Sequence, residues 1–508
     1  MLKKWVLLLL CTLFTLSACS NPAPKKQGLN SAPKNVSYKV NRTPHQAVKR
    51  VLLISVDGLH ESDLASYVKK HPHSSLSALS NHGITYTNAS ATRPSDSFPG
   101  LSAMITGGSP NATGVVYDDS YDRKLLPPLA KKAGDKPGTE VLYDETIDKD
   151  LNKINGGGGI NPAMLPRDPV TKQPVYPHNY LRVNTIFEVV KAAGKHTAWA
   201  DKHLAYDLVK GPSGKGVNDL YTPEIVANGD ASKSIFATEK NDDLKVTAIQ
   251  NEIRGRDHTG LKPANVPALF GMNFQAVSVA QKLPGNGYAD SKDKFSKGLA
   301  HAMNHTDQSI GKIVNELKKN NLYHSTLIIV SAKHGQSPMD PAKLRITDEK
   351  LITQGVSGSL VAQLTADDVA YIWLTDQSKT VSVVNAIKKN KGKANIQDVY
   401  SYQTSRSNWF FNNPADDSRI PDIVVKPKYG VIYTKPGKKI AEHGGINKDD
   451  THVAMLVSFA GMKKSKQITS SVYTAEIAPT ILRVLGLNPR SLKAVRMETT
   501  PVLPGIGQ

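Results

Sequence analysis

The sequence predicts an α/β fold of three layers, in which helices cover both faces of a largely parallel sheet and a smaller subdomain is inserted. Short, almost uninterrupted apolar segments such as residues 51–56 and 326–331 have the composition of strands buried on both faces. Segments with helical periodicity lie between them, and this alternation is typical of a sheet whose strands run parallel.

The individual elements follow from the same patterns. The predicted strands cover residues 51–56, 84–86, 196–200, 267–274, 326–331, 369–374, 423–425 and 453–459. A helical pattern extends to about residue 81, a short helix begins at Ser97, and further helices cover residues 183–193, 244–253, 295–319 and 475–485. Two stretches fit this alternation poorly, and we interpret residues 119–181 and 345–440 as insertions.

The amino terminus has the pattern of a bacterial lipoprotein signal. Two lysines precede an apolar run too short to span a membrane, and Leu16-Ser17-Ala18-Cys19 resembles a lipobox. We expect that residues 1–18 are removed, that the thiol of Cys19 is lipidated, and that residues 19–47 form a flexible tether. The chain would then be anchored in the cell envelope, on the periplasmic face of the outer membrane or the outer face of the plasma membrane. The alternative is an ordinary secretory signal.

Composition limits the classes of function. The 508 residues include 64 Lys and Arg against 44 Asp and Glu, and the formal net charge of +20 favours anionic ligands or surfaces. The lysines are scattered without interleaved aromatic residues, so stable nucleic-acid binding is not expected. Of the two cysteines, Cys11 is removed with the signal and Cys19 carries the lipid. Disulfides and cysteine metal sites are therefore excluded.

Polar side chains follow three of the predicted strands. Asp57 ends the first strand, Asp201 and His203 follow the strand 196–200, and Lys333 and His334 follow the strand 326–331. Because ligands collect beyond the carboxyl ends of parallel strands, we expect these side chains to converge at one edge of the sheet.

Ser97 stands at the beginning of a short predicted helix. Turn-forming residues precede it, Pro99 and an apolar segment follow, and two glycines end the segment. The backbone N–H groups and the dipole of a helix N-terminus favour an anion, so this hydroxyl could meet a phosphoryl group. The alternative is that Ser97 only caps the helix.

These residue types together suit hydrolysis of a phosphate ester. A divalent cation would polarise the phosphoryl oxygens and lower the pKa of Ser97, which would attack the phosphorus and form a covalent intermediate. Histidine and aspartate ligands without cysteine favour zinc or a similar ion.

Five segments carry motifs in a characteristic order: residues 54–58, 94–99, 329–335, 442–445 and 477–482. This set resembles the alkaline phosphatase superfamily, and within it the type I phosphodiesterase/nucleotide pyrophosphatase branch and its phosphonoacetate hydrolase relatives. The resemblance extends from residue 51 to about residue 487. It implies that residues 48–508 are an alkaline phosphatase-like hydrolase domain with an anionic phosphate-ester substrate and Ser97 as the nucleophile.

The resemblance also implies a two-zinc centre. The metal-ligand positions that match are Asp57, Ser97, His334 and His443. Other positions differ: residues 273–281 offer no carboxylate or imidazole where the family has an aspartate and a histidine, and Lys333 stands where it has an aspartate. Asp118 stands roughly where the branch places a phosphate-binding asparagine.

Three explanations of these departures remain open. A rearranged metal site with one or two ions would need other ligands, for which the candidates are Asp201, His203, Asp257 and His258. Alternatively, Lys333 replaces one cation, pairs with Asp57 and lowers the pKa of Ser97. In the third explanation the chain binds an anionic ligand or partner without turnover.

Two neighbouring activities can be compared with the same segments. Asp201-Lys202 resembles the segment that binds a substrate carboxylate in phosphonate hydrolases, so phosphonate hydrolysis also remains open. The alternative for this pair is a helix-capping aspartate beside an exposed lysine. A sulfatase is excluded, because Leu101 stands where the sulfatase motif requires an arginine.

Overall fold

The computed structural model describes residues 48–227 and 229–506. The predicted signal, Cys19 and the tether lie outside these residues. The strands are β1 (Arg50–Val56), β2 (Gly83–Tyr86), β3 (Ala89–Ser90), β4 (Asp119–Asp122), β5 (Thr139–Leu142), β6 (Ala198–Ala200), β7 (Asp219–Tyr221), β8 (Leu269–Phe274), β9 (Thr326–Ser331), β10 (Arg345–Thr347), β11 (Val361–Ala366), β12 (Ala370–Leu374), β13 (Ile396–Ser401), β14 (Ile423–Pro427), β15 (Val431–Tyr433), β16 (Met455–Ser458), β17 (Lys466–Ile468) and β18 (Val472–Tyr473).

The helices are interspersed among these strands. They are α1 (Glu61–Lys70), α2 (Ser75–Asn81), α3 (Ser97–Thr106), α4 (Pro110–Thr113), α5 (Pro177–Tyr180), α6 (Ile186–Ala192), α7 (Ile235–Ile253), α8 (Ala276–Lys282), α9 (Lys297–Lys319), α10 (Thr380–Lys389), α11 (Lys448–Thr451), α12 (Ile477–Val484) and α13 (Lys493–Glu498). Among the described residues, none of the helices combines the length and apolar content that a membrane span requires.

Eight strands form the main sheet, in the order β17-β2-β16-β9-β1-β8-β6-β7. Every neighbouring pair is parallel except those of β16, which runs antiparallel to both β9 and β2. The central strands β1, β8 and β9 are almost wholly buried, as their apolar sequences predict. The predicted α/β class with a largely parallel sheet is therefore confirmed.

Helices cover both faces of this sheet. Successive residues of a strand point to opposite faces, and β1 shows the result. Leu53 lies in an apolar cluster with residues of α3, α6 and α12, whereas Leu52 and Ile54 lie in a second cluster with residues of α1, α2, α7, α8 and α9. The sheet is thus the middle of three layers, and its two apolar faces form two separate cores.

A smaller antiparallel sheet is formed by the chain between β9 and β16, with the strand order β11-β12-β14-β13. One of its faces shares an apolar cluster with α10. Its other face contributes Tyr371 and Trp373 to a cluster that includes Val116 and Tyr117, from the segment after α4. This contact brings the smaller sheet close to the region beyond α3.

One predicted helix is divided in two. The helical pattern that reaches residue 81 is interrupted after Lys70, where His71 and Pro72 end α1, and Ser74 accepts a hydrogen bond from the backbone N–H of Ser77 to begin α2. Proline cannot continue a hydrogen-bonded helix, which explains the break.

Candidate active site

Ser97 is the first residue of α3, and its hydroxyl is not the helix cap. The N-cap is Asp96, whose carboxylate accepts a hydrogen bond from the backbone N–H of Phe98 at 3.1 Å. The hydroxyl of Ser97 instead lies 3.2 Å from Nε2 of His334. The alternative that Ser97 serves only as a cap is therefore wrong.

The tautomer of His334 follows from its second nitrogen. Nδ1 lies 2.7 Å from the carbonyl oxygen of Gly335, which can only accept, so Nδ1 carries the proton and Nε2 accepts from the hydroxyl of Ser97. Burial, together with the neighbouring His443, lowers the pKa of His334 well below its usual value. The imidazole is therefore neutral near pH 7 and can receive a proton from Ser97.

His443 stacks on His334 with ring centroids 3.8 Å apart and the two planes nearly parallel. Its Nε2 lies 3.4 Å from a carboxylate oxygen of Asp96. Because Asp96 caps α3, His443 contacts the same helix end that carries Ser97.

Asp57 lies at the carboxyl end of β1 and is completely buried. Nζ of Lys202 is 3.6 Å from one of its oxygens and Nζ of Lys333 is 4.0 Å from the other, while the amide of Asn273 donates a hydrogen bond at 3.1 Å. Burial alone would raise the pKa of Asp57, but Lys333 and Lys202 outweigh it and hold this pKa well below its usual value. Asp57 is therefore ionised at neutral pH.

Lys333 is fully buried between an anion and an aromatic ring. Its ammonium group donates to both carboxylate oxygens of Asp201 at 3.1 Å, and Nζ lies 3.9 Å from the ring centroid of Tyr206. Asp201 also accepts a hydrogen bond from the indole of Trp199 at 3.0 Å. Burial lowers the pKa of Lys333, although Asp201 and Asp57 both oppose this shift.

Lys202 and His443 are partly exposed to solvent. Their side chains are 13% and 14% exposed, whereas those of Asp57 and Lys333 are fully covered. For Lys202, Asp57 and Asp201 outweigh the effect of burial and raise the pKa above its usual value, so the ammonium form is favoured. An anion that approaches Ser97 would therefore meet a positive charge at the mouth of the site.

Asp118 is half-buried beyond the end of α4, and one of its carboxylate oxygens accepts from the backbone N–H of Asp119 at 2.8 Å. Burial, reinforced by the negative charge of Asp96, raises the pKa of Asp118 well above its usual value. The positive charge of Lys202 opposes this shift.

Two of the predicted contacts are wrong. His258 pairs with Asp219 at 2.6 Å, and Asp219 stands opposite Ala198 at the amino end of β6, whereas Asp201 follows the carboxyl end of that strand. Asp257 accepts hydrogen bonds from its own turn, including one from the hydroxyl of Thr259 at 2.7 Å. Both residues therefore lie at the opposite edge of the sheet and cannot complete the site.

His203 lies near the site without a direct polar contact to Ser97 or Asp57 in the part of the chain that the structure describes. Its ring packs edge-on against Tyr206 with centroids 4.8 Å apart, and burial lowers its pKa well below the usual value. His203 therefore packs against the aromatic ring that lies beside Lys333.

Three residues of the site are missing from the sequence prediction: Asp96, Tyr206 and Asn273. Asn273 could have been predicted, because it is a polar residue within an otherwise apolar strand. In the register of β1 and β8 it stands beside Ser55, two positions before Asp57. Tyr206 belongs to a 3₁₀ helix, Leu204–Lys210, and no motif marks it.

The side chains present do not fit the two-zinc centre that the resemblance implies. Across residues 48–227 and 229–506, no three His, Cys, Asp or Glu side chains are grouped so that they could hold a metal ion. Asp57, Ser97 and His334 do lie together, but Lys333 holds a positive charge beside Asp57. This ammonium group would repel a cation bound to Asp57, and it would repel a divalent ion more strongly than a monovalent one.

The sequence is similar to that of a known protein family and of one of its members. The sequence model of type I phosphodiesterase/nucleotide pyrophosphatase matches residues 51–450. The bis(5'-adenosyl)-triphosphatase of Mus musculus is 21% identical over 455 residues, which cover 89% of this chain and 80% of the relative.

Two solved structures show the same fold at low sequence identity. An inactive variant of murine ectonucleotide pyrophosphatase/phosphodiesterase 5, in complex with AMP, has a TM-score of 0.59 and 15% identity, covering 87% of this chain and 96% of its own. The alkaline phosphatase PafA has a TM-score of 0.64 and 14% identity, covering 91% and 99%. The family match and the fold thus agree with the resemblance seen in the sequence.

Proposed function

Since this chain belongs to the type I phosphodiesterase/nucleotide pyrophosphatase family and is a phosphoric ester hydrolase, we propose that Ser97 is the nucleophile that attacks the phosphorus atom. The observation that carries this proposal is the 3.2 Å contact between the hydroxyl of Ser97 and Nε2 of His334, at the N-terminus of α3. It joins a nucleophile, a neutral base and a helix dipole that favours an anion.

The first step transfers the phosphoryl group to the enzyme. Oγ of Ser97 forms a bond to phosphorus, the bond from phosphorus to the leaving oxygen breaks, and the hydroxyl proton moves to Nε2 of His334. Asp57 lies 3.9 Å from this nitrogen and stabilises the imidazolium that forms. The leaving alkoxide departs on the side of phosphorus opposite Ser97, because the attacking and leaving oxygens lie roughly in line, and it takes a proton from a water molecule, which becomes hydroxide.

The second step releases the phosphoryl group to water. The hydroxide takes the place of the departed alcohol, and its oxygen forms a bond to phosphorus as the bond to Ser97 breaks. The alkoxide of Ser97 recovers the proton from His334. The site returns to its starting state, and the net reaction consumes one water molecule per ester bond.

The position of Lys202 is compatible with two substrate classes, phosphate esters and, as a second candidate, phosphonates. The expectation of an exposed lysine beside a capping aspartate does not hold, because Lys202 points to Asp57 and Asp201 binds Lys333. An ammonium group at the mouth suits a second anionic group of a substrate, whether a nucleotide phosphate or a carboxylate. The AMP bound to the murine relative makes a nucleotide the first substrate to test.

The test compares Ser97→Ala with the matched change Ser102→Ala, which removes a buried hydroxyl from the same helix. Hydrolysis of a nitrophenyl phosphodiester, a nitrophenyl monoester and a phosphonate would be measured for each. We expect Ser97→Ala to reduce turnover by about a thousandfold or more and Ser102→Ala to retain it. Equal turnover in both variants would overturn the assignment of Ser97, and absence of turnover in the wild-type chain would favour a binding protein.

We also propose that the chain is attached to a membrane through a lipid on Cys19. The support is the order of charged, apolar and small residues before this cysteine. Such attachment would hold the hydrolase at the cell envelope, where phosphate esters outside the cytoplasm would be its substrates.

A further inference from the structure

Members of the superfamily typically depend on divalent metals, and the site described above departs from that pattern. We propose that the ammonium groups of Lys202 and Lys333 supply the positive charge that binds the phosphoryl group of the substrate, so that the site binds phosphate without a metal ion. This inference rests on the proposed function, because it concerns the same site and the same class of substrate.

The two lysines reach Asp57 from different strands. Lys202 follows β6 and approaches one carboxylate oxygen at 3.6 Å, and Lys333 follows β9 and approaches the other at 4.0 Å. By resemblance, Asp57 is the carboxylate that would bind a cation. In this chain both of its oxygens face ammonium groups, and one also accepts from Asn273.

The surroundings fix Lys333 in this position. It donates to the two oxygens of Asp201, an oxygen of Asp57 lies 4.0 Å away, and the face of Tyr206 covers the nitrogen at 3.9 Å. A buried cation is retained in a protein when it is paired and hydrogen-bonded, and here both conditions are met. Lys333 therefore resembles a fixed charge more than a surface lysine.

Lys202 retains the freedom to bind a ligand. In the described part of the chain, Asp57 is the one carboxylate within 4.0 Å of its Nζ, and its side chain is 13% exposed. Asp57 shares its charge between two lysines, so part of the charge of Lys202 remains available to an anion. The N-terminus of α3 supplies further N–H donors beside Ser97.

At several positions this chain lacks the metal ligands that the resemblance implies. Lys333 stands where the family has an aspartate, and Asn273 begins the stretch in which the family has an aspartate and a histidine. Lys333 and Asn273 each put a hydrogen-bond donor where the resemblance implies a carboxylate, and Val277, four residues after Asn273, offers no ligand where it implies the histidine. Donors directed at Asp57 occupy the surroundings in which a metal ion would otherwise be bound.

The experiment measures the binding of inorganic phosphate to the full chain by calorimetry, with and without EDTA, together with the zinc content by mass spectrometry. Because phosphate binding needs no turnover, the same titration is made with Ser97→Ala. We expect the dissociation constant to be unchanged by EDTA, and the zinc content to be far below one ion per chain.

Three variants locate the binding charge. Lys202→Met and Lys333→Met each keep the length of the side chain and remove its charge, and each should weaken phosphate binding by about tenfold or more. Lys202→Met keeps the inference testable if Lys333→Met does not fold, because Lys202 lies at the mouth of the site. Lys319→Met, on the exposed end of α9, is the matched control and should bind phosphate as the wild type does.

Stoichiometric zinc together with loss of phosphate binding in EDTA would overturn the inference, and so would unchanged phosphate binding in Lys202→Met. Turnover that persists in Ser97→Ala would count against the proposed nucleophile and leave the phosphate titration interpretable. The two proposals can therefore fail separately.

Discussion

The ammonium nitrogen of Lys333 lies 3.1 Å from each carboxylate oxygen of Asp201. These residues follow β9 and β6, which are separated in the sheet by β1 and β8. The pair therefore spans the carboxyl edge of the sheet above Asp57, and it determines where the buried positive charge of the site is held.

Replacing Asp201 with asparagine should destabilise the fold. The change leaves Lys333 buried with one carboxylate partner, and breaking a buried ion pair from one side costs about 3 kcal/mol or more. We expect this loss in the free energy of unfolding measured in urea. Asp243→Asn, which removes the half-exposed partner of Lys312 and His305, should cost about 1 kcal/mol or less and serves as the control. Equal losses in the two variants would contradict the role given to Asp201.

Gly100 lets α3 approach the strand end that carries the base. A Cβ atom at this position would overlap the backbone carbonyl of Lys333, which cannot move without displacing His334. Gly100→Ala should therefore cost about 1–3 kcal/mol of stability and lower turnover, because it separates Ser97 from its base. Thermal unfolding and ester hydrolysis would be compared with Gly392→Ala, where the added methyl group meets open space. Wild-type activity in Gly100→Ala would show that the close contact is not needed.

The residues at the carboxyl ends of the strands can be predicted from the sequence, because their positions depend on local patterns. Asp57, Asp201, Lys333 and His334 each follow an apolar strand directly, and parallel strands bring their ends together regardless of the details of packing. Asp257 and His258 also follow ordered structure, but they come after α7 and return to the amino end of β7. The end of the sheet at which these two residues lie depends on the path of the chain between α7 and β8. The sequence pattern does not predict that path.

Stability should depend on pH through Glu224. Its burial, with Asp148 beside it, raises the pKa of Glu224 above its usual value of 4.5. The folded state therefore holds a proton that the unfolded state releases above pH 4.5, so the free energy of unfolding should decrease as pH rises from there towards the raised pKa. Glu224→Gln keeps the shape of the neutral acid and should weaken this dependence.

The measurement is chemical denaturation of the wild type and of Glu224→Gln at about pH 5 and about pH 8. The exposed change Glu349→Gln is the control and should follow the wild type. A variant whose stability changes between these pH values as steeply as the wild type would show that Glu224 is not the responsible group.

The proposed lipid on Cys19 can be tested directly on the amino-terminal peptide. Mass spectrometry of the chain from a bacterial membrane fraction should find Cys19 as the first residue with acyl chains attached, and Cys19→Ser should lack them. An unmodified Cys19 preceded by residues of the signal would contradict the expectation.

Tyr206 and Asp96 show what the sequence does not reveal about the site. Tyr206 acts through the face of its ring against Lys333, and aromatic residues are too common in buried segments for that use to be predicted. Asp96 takes the capping role that the sequence alone leaves open for Ser97, because both residue types cap helices well. Side-chain orientation separates the nucleophile from the cap, and it depends on the position of His334, more than two hundred residues away.

The most direct test of the central claim is detection of the covalent intermediate. The full chain would be mixed with an aryl phosphate and quenched in acid, and the peptide that contains Ser97 would be examined by mass spectrometry, with Ser97→Ala treated in parallel. We predict a phosphoryl group on Ser97 in the wild type and none in the variant. Continued hydrolysis of the aryl phosphate with no phosphoryl group on Ser97 at any quench time, and with equal turnover in Ser97→Ala, would contradict the account.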